Sequence, residues 1–305
     1  MLRILLAALF ALLPAAAFAQ APAAPAARFS VIVEGSGPDV ILIPGLSTPR
    51  DVWDGVRPAL RARYRLHLIQ LRGFGEPAGP NATGPVLEPF VAALAAYIAD
   101  NRLARPAVIG HGLGGLGALL LGARRPDLPG RIMVVDALPF IGAMAGPEAT
   151  VESVTPLAEQ IRDGLVEQAA TTPPEFDRPA PDCAAPDADP GENQQAERLS
   201  GRPAGRCLVA HWVRRSDLRV VGQARYDAFV TDLRPALARI AAPVTLVYPQ
   251  DDGAMPAGEA EALYRGAYAG AARLTLVAVP DSQHFIMLDQ PERFRAALEA
   301  FLAGR

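Results

Sequence analysis

Val108-Ile109-Gly110-His111-Gly112-Leu113-Gly114-Gly115 is the stretch on which the reading of this chain turns. Ala107 to Ile109 is a short apolar run of the kind that fills a buried strand, and it passes directly into glycines. Leu113 to Arg125 then carries a helical pattern that stops before Pro126. A strand that becomes a helix within so few residues leaves no room for bulk, and Gly110 and Gly114 provide that room.

The same alternation extends outward on both sides. Towards the N-terminus, Phe29 to Glu34 alternates weakly, Gly35 to Asp39 is turn chemistry and Val40 to Ile43 is a short apolar run. These predict a hairpin or adjacent strands at a sheet edge. Asp51 to Arg61 predicts a short helix in which Trp53 packs, and Tyr64 to Gln70 a strand. From about Val86 to Leu103 a helix follows, with Leu87, Phe90, Val91, Leu94 and Ile98 on one face. Towards the C-terminus, Ile132 to Val135 is a strand ending at Asp136. The rhythm breaks at Ala137 and resumes with a helix near Tyr226 to Ile240 and a strand Val244 to Tyr248. A helix around Ala257 to Tyr268, a strand Leu274 to Val279 and a helix Pro291 to Leu302 complete the pattern. Strands alternating with helices imply an α/β fold, a mostly parallel central sheet covered by helices on both faces.

The glycine-flanked turn resembles the nucleophile elbow of the α/β-hydrolase superfamily, G-x-S-x-G between strand and helix. Gly110 and Gly114 occupy its flanks, and Gly112 stands where the family carries its serine. Arg72-Gly73-Phe74-Gly75 is similar to the family's R-G-x-G loop and is read as structural. The resemblance implies an α/β-hydrolase core in two parts, 29–136 and 233–305, separated by a cap insertion, 137–232. That insertion has a Pro- and Asp-rich centre at 173–192. It also implies oxyanion-hole amides at Leu46, in the Pro44-Gly45-Leu46-Ser47 loop, and at Leu113. His284, after the last strand, is the implied general base. His67 falls in a strand, His111 in the elbow and His211 in the cap. The acid is implied after the strand Val244 to Tyr248. By spacing Asp252 is the better match for orienting His284 and Asp251 the next; Asp136 is a third option, since some relatives take the acid from that earlier strand.

Glycine at the elbow changes the expected chemistry. In an unrelated serine protease, loss of the nucleophile costs on the order of a millionfold in kcat, with roughly 10³–10⁴ over water surviving. Glycine also fits a backbone conformation that strains other residues. Three functions are consistent with Gly112, Asp252 and His284 taken together. The first is a protein of carboxylic-ester hydrolase ancestry inactivated by loss of the serine; the second is a binder of a small ester-like or apolar ligand. The third is a non-covalent general-base enzyme that activates water or removes a substrate proton. Ser47 has no reason to replace the missing hydroxyl.

Met1-Leu2-Arg3, the apolar run Ile4 to Leu13 and Ala17-Phe18-Ala19 predict a signal peptide over 1–19, cleaved near Ala19. The run is short for a membrane span. An Ala/Pro-rich mature N-terminus over 20–28 follows. Export, periplasmic or secreted, would let Cys183 and Cys207 form a disulfide, where two buried thiols are the alternative. With 29 Lys and Arg against 32 Asp and Glu, and the arginines scattered, no nucleic-acid-binding face is expected. The histidines and cysteines lack metal-ligand spacing, and no phosphate or dinucleotide motif occurs, so no metal or cofactor is expected either.

Overall fold

β2 and β1 differ in what surrounds them, and the difference sets the sheet order. β2 (Asp39–Ile43) is buried from Val40 to Ile43, whereas β1 (Phe29–Glu34) leaves Ile32 and Val33 exposed. An unbroken apolar run suits a strand covered on both faces, and an alternating one suits an edge. In the computed structural model the two are accordingly not neighbours. β3 (Arg65–Leu71) lies between them, antiparallel to β1 and parallel to β2. The hairpin expected from the intervening turn is thus replaced by a β1–β3 pairing. The sheet continues through β4 (Ala107–His111), β5 (Arg131–Val135), β6 (Val244–Gln250) and β7 (Leu274–Pro280), all parallel, in the order β1-β3-β2-β4-β5-β6-β7. The described residues are 27–146, 148–185, 194–251, 253 and 256–304. The signal segment 1–19, with its cleavage point, and residues 20–26 lie outside them.

The helices, in chain order, are α1 (Arg57–Arg61), α2 (Leu87–Asp100), α3 (Leu113–Arg124), α4 (Val151–Ala169) and α5 (Gln194–Leu199). They continue with α6 (Pro203–Arg214), α7 (Leu218–Val230), α8 (Ala257–Ala267), α9 (Ile286–Asp289) and α10 (Pro291–Leu302). Alternate residues of β2 serve opposite cores, as the two-residue period of a strand demands. Ile41 and Ile43 join Phe90, Leu94, Leu119 and Tyr268 on one face; Val40 and Leu42 join Trp53, Phe294 and Leu298 on the other. Trp53 is fully buried and stacks on Phe294 with ring centroids 6.2 Å apart. The helix expected over Tyr226 to Ile240 is divided. α7 stops at Val230, and a separate 3-10 turn runs Arg234–Arg239 with Pro235 in its first turn, where a missing N–H costs nothing.

The region expected as a cap contains α4 to α7. Thr150 caps α4, its hydroxyl accepting from Ser153 N–H while Ser153 Oγ accepts from Thr150 N–H. Cys183 is bonded to Cys207 on α6, Cα atoms 5.6 Å apart, which ties the Pro-rich segment down. Closing a loop of 24 residues stabilises the fold by about 3.5 kcal/mol in the chain-entropy picture. The Arg72-Gly73-Phe74-Gly75 loop fastens this region to the core. Gly73 O accepts from Asp217 N–H at 2.8 Å, and Gly75 N–H donates to Arg215 O at 2.9 Å. A Cβ on Gly73 would lie 2.6 Å from Val220 Cγ2, so only glycine permits this approach.

Candidate active site

The turn between β4 and α3 is packed to the limit of what a backbone allows. A Cβ on Gly114 would stand 2.5 Å from Ile43 O and 2.6 Å from Pro44 O, and one on Gly110 would collide with the Gly114 carbonyl group. Between them Gly112 adopts φ +50°, ψ −117°. Its N–H donates to Val135 O at 2.9 Å and its carbonyl accepts from Leu116 N–H at 3.0 Å. The tetrahedral geometry of Gly112 directs a Cβ straight at His284, 3.1 Å from both Cε1 and Nε2. The same point is 3.8 Å from the Cα of Gly45, so the loop after β2 also meets the elbow. Leu46 and Leu113, the expected oxyanion amides, each directly follow a glycine that makes this contact. Leu113 is the first residue of α3, where an N–H has no acceptor within the helix.

His284 lies in the turn between β7 and α9. Its Nδ1 donates to Asp136 Oδ2 at 2.6 Å, and its side chain is 28% exposed against 14% for Asp136. A neutral imidazole that donates through Nδ1 has a free lone pair on Nε2, the nitrogen facing Gly112. Asp136 is held as tightly as the ring it serves. Its other oxygen, Oδ1, accepts from the hydroxyl of Tyr264 on α8, and its N–H donates to Val247 O at 2.9 Å. The backbone of Asp136 is left-handed, φ +47°, a conformation Asp tolerates better than most residues.

His284 is thus oriented by Asp136, the third of the acids the resemblance offered, and not by Asp251 after β6. Register explains the outcome. His111 pairs with Val135 across β4 and β5, so Gly112 and Asp136 are the next positions on adjacent strands. Val135 in turn pairs with Val247, and β6 then runs on to Gln250 before its loop begins. Asp251 is carried past the elbow's level. Its carboxylate accepts from Gln283 Nε2 at 3.1 Å and from Gly253 N–H at 3.0 Å. Asp252 lies outside the described residues.

His111 has a role that sequence pattern does not reveal. Its Nε2 is 3.1 Å from the carbonyl oxygen of His284, and since a carbonyl only accepts, Nε2 carries the proton. The ring therefore braces the backbone of His284 from below, with centroids 4.3 Å apart. Full burial, and secondarily the neighbouring His284, hold the His111 pKa well below the usual histidine range, so the ring is neutral. Its position before an elbow glycine was the only available signal, and that signal says nothing of a hydrogen bond to a residue 173 positions away.

A separate cavity of about 300 Å³ opens between the segment after β2, α6 and α9. Val52, Leu208, Trp212 and Met287 line it together with the polar Asp51, Asp54, His211 and Arg215. The Trp212 ring packs on Phe285, 5.8 Å between centroids. Among the described residues no cluster of three or more His, Cys, Asp or Glu could hold a metal, and no helix is long and apolar enough to cross a membrane.

Known proteins agree with this architecture. A family model described as "Alpha/beta hydrolase family" matches residues 40–297. The pimeloyl-[acyl-carrier protein] methyl ester esterase of Nitrosomonas europaea is 26% identical over 284 residues, covering 90% of this chain and 99% of that protein. The enzyme of the same name from Aeromonas hydrophila is 36% identical over 112 residues, 36% of this chain and 42% of the relative. In fold, an esterase from Exiguobacterium antarcticum matches with a TM-score of 0.68 at 18% identity, over 90% of this chain and 95% of that one. An enol-lactonase from Burkholderia xenovorans matches at 0.66 and 18%, over 90% and 96%.

Proposed function

The chain belongs to the alpha/beta hydrolase family, and from that premise we propose that it is an exported protein of carboxylic-ester hydrolase ancestry. In this reading it has kept the base and the oxyanion loop but lost the covalent step. The observation that carries the proposal is the direction of the missing side chain. A Cβ on Gly112 lies 3.1 Å from His284 Nε2, at the mouth of an elbow whose flanking glycines admit no other shape.

The consequences follow atom by atom. In covalent ester hydrolysis a hydroxyl at this position attacks the acyl carbon, the imidazole takes its proton, and the carboxylate steadies the imidazolium. Gly112 offers no atom to attack with, so no acyl-enzyme forms. His284 Nε2 still presents a lone pair, and Asp136 still stands behind Nδ1. The N–H groups of Leu46 and Leu113 are the donors for a ligand carbonyl oxygen. The ligand is therefore an ester or related carbonyl compound, in keeping with relatives named as methyl ester esterases. The Cys183–Cys207 bond supports the exported half of the reading, because disulfides persist in oxidising compartments.

The test is an assay with short and medium nitrophenyl esters on four proteins: the native chain, Gly112→Ser, and each with His284→Ala. Turnover by the Gly112→Ser form alone, lost without His284 and at least ~10³-fold above the native chain, is the expected result. Turnover by the native chain that disappears with His284→Ala would replace this reading with a non-covalent one, in which Nε2 activates water. The introduced serine requires the His284 ring to yield by a few tenths of an ångström, which its partial exposure permits.

A further inference from the structure

We propose that Tyr264 is a positioning residue of this site: by donating its hydroxyl to Oδ1 of Asp136, it locks that carboxylate onto His284. The proposal rests on the reading of His284 as the base, yet its decisive measurement needs no activity.

Both oxygens of Asp136 are engaged, one by Tyr264 and the other by His284 Nδ1. A carboxylate gripped at both oxygens cannot rotate about its χ2 without losing a charge-assisted hydrogen bond. Tyr264 is itself enclosed. It is 4% exposed, its ring packs on Tyr248 at 4.9 Å between centroids, and it belongs to a buried stripe on α8 that includes Ala260. Burial, and secondarily the charge of Asp136, raise the phenol far above its ordinary range, so it remains a proton donor wherever the protein is folded.

The placement of Tyr264 in the chain gives the contact its meaning. α8 follows β6, the strand after which the sequence pattern looks for the acid. Instead of supplying the acid, this part of the chain reaches back through Tyr264 to hold an acid at the end of β5. Asp251, at the expected place, is committed to Gln283. One helical turn further, Tyr268 donates to the carbonyl oxygen of Ala137 at 2.7 Å. The two tyrosines thus pin consecutive residues, one by its carboxylate and the other by its backbone. Only the first hydrogen-bonds the carboxylate behind His284, so Tyr268, which hydrogen-bonds the neighbouring backbone instead, is a built-in control.

Among the described residues, these groups face His284 or the residues next to it. They are the neutral His111 ring from β4, Asp136 from β5, Tyr264 from α8 through Asp136, and Asp251 through Gln283. Asp289 accepts the Gln283 N–H at 2.8 Å. The experiment follows the His284 ring protons by NMR across pH in the native chain, Tyr264→Phe and Tyr268→Phe, with His284→Ala to assign the signal. Tyr264→Phe removes a donor from Asp136 and leaves a more strongly accepting carboxylate, so the His284 midpoint moves up. If the freed carboxylate instead swings away, the midpoint moves down. Either shift, absent from Tyr268→Phe, supports the positioning role. No shift in Tyr264→Phe, or the same shift in both variants, overturns it. In the Gly112→Ser background, Tyr264→Phe lowers kcat and leaves KM unchanged. If that background proves inactive, the ester-hydrolase reading fails while the titration still decides the role of Tyr264.

Discussion

The turn after β4 and the turn after β6 were each expected to present one member of a catalytic set, and they differ in what holds them. The first is defined by backbone contacts that leave no choice. Gly114 faces the carbonyls of Ile43 and Pro44, Gly110 faces Gly114, and Gly112 sits at φ +50°. At the second, the described residues show a side-chain contact. Asp251 pairs with Gln283, while the carboxylate behind His284 comes from β5. A constraint carried by the backbone leaves its mark in neighbouring residues, here a run of glycines. A pairing between side chains on different strands depends on register and leaves no local mark.

The largest effect that would sharpen this contrast lies within the elbow. Gly114→Ala should fail to yield folded protein, because its Cβ would meet two backbone oxygens that cannot move aside, at 2.5 and 2.6 Å. The expected loss exceeds about 4 kcal/mol, well beyond the roughly 1 kcal/mol that alanine gains over glycine in a helix. Gly112→Ala should fold. Its costs are the strained positive-φ backbone, about 1–3 kcal/mol, and a contact with a yielding imidazole edge. Thermal melts of the two variants decide the matter. A stable Gly114→Ala, or a Gly112→Ala that melts above the native chain, would mean that the turn is less constrained than its glycines imply.

The next effect concerns which carboxylate does the work. In the Gly112→Ser form, Asp136→Asn should lower kcat by about 10⁴-fold, as loss of the triad acid does in a serine protease. Asp251→Asn should change it little, since that carboxylate serves Gln283. The reverse ranking would return the acid to the turn after β6 and make Asp136 a structural residue.

These contrasts also explain what was legible in the residues themselves. The apolar runs Val40 to Ile43, Val108 to Ile109 and Ile132 to Val135 mark buried strands, and Gly110 to Gly115 marks the bend, because each reports its own backbone and burial. The two-cysteine pairing was legible because only one partner existed. Other features were hidden for reasons of geometry. β1 and β2 are joined by turn-forming residues, yet β3 lies between them, and no turn sequence encodes which strand will intervene. Asp136 was visible as a strand-end carboxylate, but its advantage over Asp251 lies in a register offset between β5 and β6. Tyr264 carries no mark within its helix and His111 reads only as an elbow residue, since a buried ring carries no sign of the polar atom it aims at a distant partner.

His111 supplies the smallest and most discriminating effect, because it belongs to the backbone-defined turn yet acts through a side-chain nitrogen. Its folded pKa lies well below 6.5, its unfolded value near 6.5. As pH falls through 6.5 the unfolded chain therefore takes up a proton that the folded chain refuses, and stability falls. The loss approaches about 1.4 kcal/mol per pH unit for this one group, until the folded pKa is reached. His211, lowered chiefly by burial, adds a contribution of the same sign. The paired carboxylates whose pKa values are lowered, such as Asp39, act in a lower window, from about 3.8 downward. Urea melts between pH 6.5 and 5 should thus show a declining stability that His111→Asn flattens, whatever that variant does to stability at neutral pH. An unchanged slope in His111→Asn would mean that the ring already takes up a proton in the folded state. A doubly protonated ring would donate through Nδ1 as well, and the turn after β4 would then hold a buried charge rather than the neutral brace that keeps His284 aimed at Gly112.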